Sequence, residues 1–251
     1  ACGSVLVVVN TKASAKALYG ACQERAGGYV VHLSTNMCPA HRRAVIDRLR
    51  SDLDLENGKP VICVSTQLIE AGVDLDFGFV IRYRAGLDSV AQAAGRCNRH
   101  GLRALGTVLV VNPADENLDR LHEIREGANI TARILDEYKK SPDRYNDNLI
   151  GDRAIRSFYE YYFHSRAHIM DYPIGKECIG RTGNLLDLLS VNGVARIDYA
   201  RINRKAPEHL RFLQSFGSAA RAFKTLDADT EGIVVPYEDG ERIVHDLLGT
   251  D

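Results

Sequence analysis

The apolar and polar positions of this 251-residue chain fall into two regimes. Up to about residue 112, short apolar runs alternate with helical patterns. The runs are Val5–Val9, Tyr29–Leu33, Val61–Val64, Phe79–Tyr83 and Thr107–Val111. Each is strand-length and almost continuously apolar, the pattern of strands covered on both faces. Between them, Ala13–Arg25 and His41–Leu53 carry helix formers, the second entered through Pro39. Strand–helix alternation with short connections predicts an α/β fold, a doubly wound parallel sheet. In such sheets ligands gather at the carboxyl ends of the strands, so chemistry is expected just after each run.

From Pro113 the pattern changes. Leu118–Lys140 and Ala154–Met170 are predicted helices, broken at Ser141-Pro142-Asp143. Gly175–Gly183 has loop composition, and Asn184–Leu189 spells a short apolar helix. Glu208–Leu226 is a predicted helix, Gly232–Tyr237 a strand and Glu241–Leu248 a helix. The expected organisation is an α/β domain over 1–113, a helical linker over 114–200 and a small α+β C-terminal domain over 201–251.

Three runs end alike: Asn10-Thr11-Lys12, Ser34-Thr35-Asn36 and Ser65-Thr66-Gln67. Small hydroxyl and amide side chains that open helices serve as N-caps in any protein. On one sheet edge they equally form a row of helix N-termini and hydroxyls suited to successive phosphates. Both readings stay open on spacing alone.

More specific is the segment from Ser65 to Phe77, S-T-Q-L-I-E-A-G-V-D-L-D-F. Gly72 permits a tight turn and close backbone approach, and Asp74 offers an acceptor to a ribose hydroxyl or an arginine. Downstream stands Q-A-A-G-R-C-N-R-H-G, Gln92 to Gly101. If helical, it projects Arg96 and Arg99 from one face. No acidic residue lies within four positions of either, so local ion pairing does not account for them. Two such arginines suit charge on a transferring phosphoryl group.

In order and spacing, these blocks, with N-T-K-A at 10–13 and H-L-S-T-N-M-C-P-A-H-R at 32–42, resemble the second RecA-like domain of superfamily 2 helicases. Within that group the chain looks closest to the helicase-nucleases of type I CRISPR systems. N-L-L-D-L-L-S at 184–190, S-F-G-S-A-A-R-A-F-K-T-L-D at 215–227 and V-V-P-Y at 234–237 are similar to that family's linker and C-terminal domain. The resemblance implies a RecA-like sheet in which Arg96 and Arg99 are arginine fingers reaching ATP and its Mg2+, held mainly by another RecA-like domain. It implies that Gly72, Asp74 and Gln92 line the nucleotide side. Asn10, Thr11, Ser34, Ser65, Thr66 and Gln67 would hold the backbone of single-stranded DNA. The implied partners are that strand, an N-terminal half carrying an HD nuclease and the first RecA-like domain, and an RNA-guided surveillance complex. Another superfamily 2 DNA or RNA helicase is the alternative, as is a binding module that works without ATP.

A working motor also needs a P-loop, and this chain has none. Its two Gly-Lys pairs, Gly58-Lys59 and Gly175-Lys176, lack the upstream glycine and the following hydroxyl. With Ala1 rather than methionine first, the chain is expected to be part of a longer protein, inactive alone, with no metal site, no ATP or Mg2+ bound by itself, and weak, salt-sensitive affinity for single strands.

Charge and cysteines refine this picture. The net charge of -1 averages two unlike parts. Residues 1–112 hold 13 Lys and Arg against 9 Asp and Glu, a net of +4, and the remainder 19 against 24, a net of -5. Arg outnumbers Lys ten to three in the first part, and arginine is the better phosphate fork. Six cysteines without a C-x-x-C pair suit reduced thiols in a cytoplasmic protein rather than a zinc knuckle or a disulfide framework. No run approaches the roughly 18 apolar residues of a membrane span, so no membrane partner is expected.

Overall fold

A computed structural model describes residues 3–26, 29–54, 58–70, 72–207, 212–224 and 231–249. The chain packs as two compact units, residues 1–162 with 234–251, and residues 163–233.

The first unit is built on five parallel strands: β1 (Ser4–Val8), β2 (Tyr29–Leu33), β3 (Val61–Ser65), β4 (Phe79–Tyr83) and β5 (Thr107–Val111). Their order is β2-β3-β1-β4-β5, and each lies within a residue of its predicted run. This is the RecA-like doubly wound arrangement. Leaving β1, the chain moves one way to β2 and then back to β3, so successive crossovers cover opposite faces. Helix α1 (Lys12–Arg25) sets Ala15, Leu18 and Tyr19 against Val5, Val7, Val9 and Val64. Helix α2 (Pro39–Asp52) sets Val45, Ile46 and Leu49 against Leu6, Val8, Val31 and Leu33. The period-two alternation of β1 between these clusters is the reason its run had to be apolar throughout. β5 departs from that expectation. As an edge strand it leaves Leu109 48% exposed, so apolar continuity there does not mean cover on both sides.

Helix α3 (Leu87–Ala94) follows β4 and buries Leu87, Val90 and Ala93. Helices α4 (His122–Lys140) and α5 (Asp152–Arg166) extend this layer: Ile130, Ile134 and Phe158 pack with Leu87 and Val90. The close approach depends on Gly127. A Cβ there would lie 3.0 Å from the Gly86 Cα and 3.1 Å from its nitrogen. Between α4 and α5, the Glu137 carboxylate accepts from Tyr145 Oη at 2.6 Å and pairs with Arg144 Nη1 at 3.1 Å.

The second unit is smaller. A two-stranded antiparallel ladder, β6 (Pro173–Ile174) with β7 (Gly183–Asn184), frames the short helix α6 (Lys176–Ile179). The stretch expected as loop thus carries structure, ended by Gly180 at φ +74°. Helix α7 (Leu185–Leu189) is capped by Asn184 Oδ1, which accepts from Leu186 N at 2.7 Å. Its Leu188 packs with Ile174 and with Ala219 and Ala222 of α9 (Phe216–Ala222). Helix α8 (Gly193–Asn203) lies between them in sequence and buries no residue. Helix α9 falls inside the longer helix expected over Glu208–Leu226, of which 208–211 and 225–226 lie outside the described residues.

The strand expected at Gly232–Tyr237 is absent. Pro236 has no amide hydrogen to give a ladder, and Tyr237 N instead donates back to Val235 O at 2.8 Å. Helix α10 (Asp239–Leu248) follows this turn. Cys22, Cys38, Cys63, Cys97 and Cys178 are free thiols, and burial pushes the Cys63 thiol up to about 12. Among the described residues no helix is long and apolar enough to cross a membrane.

Gly127→Val places a branched side chain against the Gly86 backbone. It is expected to lower stability by about 1–3 kcal/mol, the usual range for overpacking, seen as a lower urea midpoint. An unchanged midpoint would mean that α4 does not depend on this approach.

Candidate nucleotide and nucleic-acid site

Because β2, β3 and β1 are neighbours, the three hydroxyl- and amide-bearing strand ends lie side by side. Their side chains, however, are mostly turned to internal work. Ser34 and Ser65 are fully buried. Ser65 Oγ lies 2.9 Å from its acceptor, Leu33 O, and Ser34 Oγ accepts from Asn36 N at 3.4 Å. Asn10 and Thr66 are buried as well. Of the six residues expected to grip a strand, only Thr11 and Gln67 keep partly exposed side chains. Thr11 Oγ1 accepts from Ser14 N at 2.9 Å and caps α1. In this conformation the Ser34 and Ser65 side chains have no exposed surface and support the edge from within.

The start of α1 already holds a carboxylate. Glu116 Oε1 accepts from the amides of Asn10 at 3.0 Å and Thr11 at 3.1 Å, and Glu116 Oε2 accepts from Asn10 Nδ2 at 2.7 Å. These are the unsatisfied N–H groups on which an anion settles at a helix start. Beside them opens a cleft of about 440 Å3, lined in part by Arg84, Asn112, Asp115, Glu116, Arg125 and Asn129.

Beneath this edge lies an arginine that the sequence pattern treated as part of a strand. Arg82, on β4, is the largest fully buried side chain of the described residues. Its Nη1 donates to Asn10 Oδ1 at 2.6 Å and to Tyr83 O at 2.8 Å. Its Nη2 lies 2.9 Å from Glu70 Oε1, and both side chains of that pair are buried. Burial pushes the Glu70 carboxyl up, opposed by Arg82 and by a hydrogen bond from Ser89. Burial likewise lowers Arg82, opposed chiefly by Glu70. Arg82 thus favours the ionised form of Glu70 against the effect of burial.

Glu70 also joins the candidate nucleotide residues. Arg96 donates from Nη2 to the Glu70 carbonyl at 2.6 Å and from Nε to the Ile69 carbonyl at 3.0 Å. It is only 6% exposed, and burial, reinforced by neighbouring Arg99, lowers its pKa. Arg99 is far more open and pairs through Nε with Asp74 Oδ1 at 2.7 Å. The two arginines do not share a helix face. Helix α3 stops at Ala94, and the chain turns at Gly95 into a segment pinned by a parallel bridge between Phe77 and Cys97. Phe77 N donates to Arg96 O, and Asn98 N donates to Phe77 O. Nor are the arginines without acidic partners. Asp74 is distant in sequence and near in space, and Asp76 Oδ1 accepts from Arg99 N at 2.9 Å.

Gly72 takes φ +71°, the left-handed backbone its type was expected to supply. Gln92 is exposed on α3. A second cleft of about 370 Å3, lined by Arg50, Asp54, Asp74, Asp76, His100 and Arg103 among others, opens beside the Arg99–Asp74 pair.

Sequence reasoning missed Arg82, Asp76 and Glu116. Arg82 left a signal, a charge inside an otherwise apolar strand, whereas Glu116 left none because its partners are about a hundred residues away. The exposed guanidinium of Arg99 is held by Asp74, two residues after Gly72. Among the described residues no group of three or more His, Cys, Asp or Glu could hold a metal ion.

Residues 1–102 match the family described as CRISPR-associated nuclease/helicase Cas3, C-terminal. The chain is 46% identical over 70 residues to a CRISPR-associated nuclease/helicase Cas3 of Haloferax volcanii, covering 28% of this chain and 7% of that one. It is 26% identical over 164 residues to the Cas3 of Methanothermobacter thermautotrophicus, covering 64% and 18%. A solved Cas3 of T. fusca is 17% identical, with a TM-score of 0.48 over 66% of this chain and 23% of that one. The matched stretch therefore spans less than a fifth of either curated relative. On the sequence matches, residues 1–102 are similar to the C-terminal portion of CRISPR-associated nuclease/helicase Cas3 proteins.

Proposed function

We propose that this chain is the second motor half of an ATP-dependent single-stranded-DNA translocase that unwinds and degrades target DNA in CRISPR interference. The observation that carries the reading is the Arg99–Asp74 pair. An open guanidinium is held by Asp74, two residues after the left-handed Gly72, on a segment tied back to the same turn by Arg96. ATP would be held mainly by a first RecA-like domain, with Arg99 meeting its terminal phosphate and Arg96 joining once freed from its carbonyls. Gly72, Asp74 and Gln92 border the nucleotide. The strand runs along the Thr11 and Gln67 edge, with backbone amides doing much of the holding. An HD nuclease, an RNA-guided surveillance complex and a cytoplasmic setting complete the proposal, which draws on the similarity to Cas3 proteins. The domain division at 113 and 200 is proposed on the same basis.

Arg99 is the cleaner test because it is open, whereas Arg96 variants disturb a buried hydrogen-bond set. In the full-length protein, Arg99→Ala is expected to cut DNA-stimulated ATP hydrolysis by about 10²–10³-fold, the scale for losing one preorganised donor, with ATP binding retained. Unchanged turnover would remove the finger assignment. This chain alone is expected to show no DNA-stimulated phosphate release, since it has no P-loop. Measurable release would overturn the two-half reading.

Glu116→Ala frees the α1 amides. It is expected to tighten binding of a labelled single-stranded oligonucleotide by about two- to five-fold, the equivalent of a carboxylate's interaction with a helix start. Binding should weaken as salt rises. Anisotropy titrations at two salt concentrations decide it, and equal or weaker binding by the variant would place the strand elsewhere.

A further inference from the structure

We propose that Arg82 is a positioning residue that couples the nucleic-acid edge to the Arg96 finger. The inference rests on the functional reading above. Four contacts form one unbroken path within the first unit. Thr11 and Asn10 share the Glu116 carboxylate through their amides. Asn10 Oδ1 accepts from Arg82 Nη1 at 2.6 Å. Arg82 Nη2 pairs with Glu70 Oε1 at 2.9 Å. The Glu70 carbonyl then accepts from Arg96 Nη2 at 2.6 Å. Asn10, Arg82, Glu70 and Arg96 are all buried, so these contacts are little screened by water.

Core packing alone does not ask for this arginine. Its position faces the cluster that holds Val80, where an aliphatic side chain would suffice, and a buried ion pair is seldom a net gain over apolar residues of similar size. The geometry uses what is particular to arginine, a planar fork whose two Nη atoms serve different partners at once. One Nη reads the Asn10 side chain and the other holds the Glu70 turn.

The path has two arrangements to switch between. In the one observed, Glu116 sits on the Asn10 and Thr11 amides, and Arg96 is retracted onto the Ile69 and Glu70 carbonyls. A strand phosphate competes with Glu116 for the same donors, among them Asn10 Nδ2. The Asn10 carboxamide carries both the Nδ2 that Glu116 holds and the Oδ1 that Arg82 reads, so exchanging its acceptor shifts the fork. The Glu70 turn follows, which releases Arg96 towards a nucleotide. Arg82 touches neither strand nor nucleotide; it acts through Asn10 and Glu70.

The test uses the full-length protein and two variants. Arg82→Lys keeps a cation for Glu70 but lacks the second arm of the fork. Arg82→Met with Glu70→Gln removes the pair without leaving a lone buried charge. Four quantities are read: hydrolysis without DNA, the stimulation by saturating oligonucleotide, oligonucleotide affinity, and Tm. Both variants are expected to keep unstimulated hydrolysis and affinity close to wild type while stimulation falls about tenfold or more, within the range of site-to-site coupling. A purely structural role would lower Tm and all activities together. Stimulation that stays at the wild-type level in either folded variant overturns the inference, as does failure of both to fold. If wild-type hydrolysis itself ignores DNA, the motor reading fails first and takes the coupling with it.

Discussion

The ion pair between Arg82 and Glu70 is the contact around which the first unit's functional edge is arranged. Both charges lie out of water on the central part of the sheet, where each ion has lost several kcal/mol of solvation. Neither can be removed singly without stranding the other, at about 3–5 kcal/mol for a broken buried pair. The consequence is geometric. Glu70 sits in the turn after β3, Arg82 on β4 and Asn10 at the end of β1, so one fork fixes the relative placement of three strand ends. Arg96 then closes the same turn through its carbonyls. On the proposed function, the nucleotide side and the nucleic-acid side would therefore share a single buried support.

That arrangement qualifies the resemblance between this chain and a motor domain. The motifs stand in the expected order, yet several of their side chains serve the scaffold in this state. Ser34 and Ser65 satisfy neighbouring backbone groups. Arg96 holds a turn, and Glu116 fills the seat at the start of α1. Among those that remain open are Thr11, Gln67, Gln92 and Arg99, the last steadied by Asp74. A cleft enzyme assembled from two halves needs such a resting state, because unpaired buried donors would destabilise the half on its own.

Much of the fold was legible because burial leaves a periodic trace. The five strands of the sheet sit where continuous apolar runs predicted them, and α1 and α2 begin within two residues of their predicted starts. Gly232–Tyr237 misled because its apolar composition matched a strand while Pro236 broke the hydrogen-bonding that a strand needs. The site was legible in its residue types and not in its pairings. Arg99 finds Asp74 across 25 positions and Asn10 finds Glu116 across 106. Such partners are set by which strand ends become neighbours, which local spacing does not encode. The helix expected around Arg96 failed for a similar reason: a bridge to Phe77 outweighs the local preference to continue α3.

The carboxylate at the start of α1 has a consequence for selectivity. Glu116 is tethered, so its effective concentration at the Asn10 and Thr11 amides is fixed by the fold rather than by the solution. A free phosphate arriving alone must beat that local concentration with one contact. A polymer that engages neighbouring strand ends at once gains from its own tether and displaces the carboxylate more readily. On the proposed function, the occupied seat would act as a threshold that tells a chain of phosphates from a single one, with no base-specific contact involved.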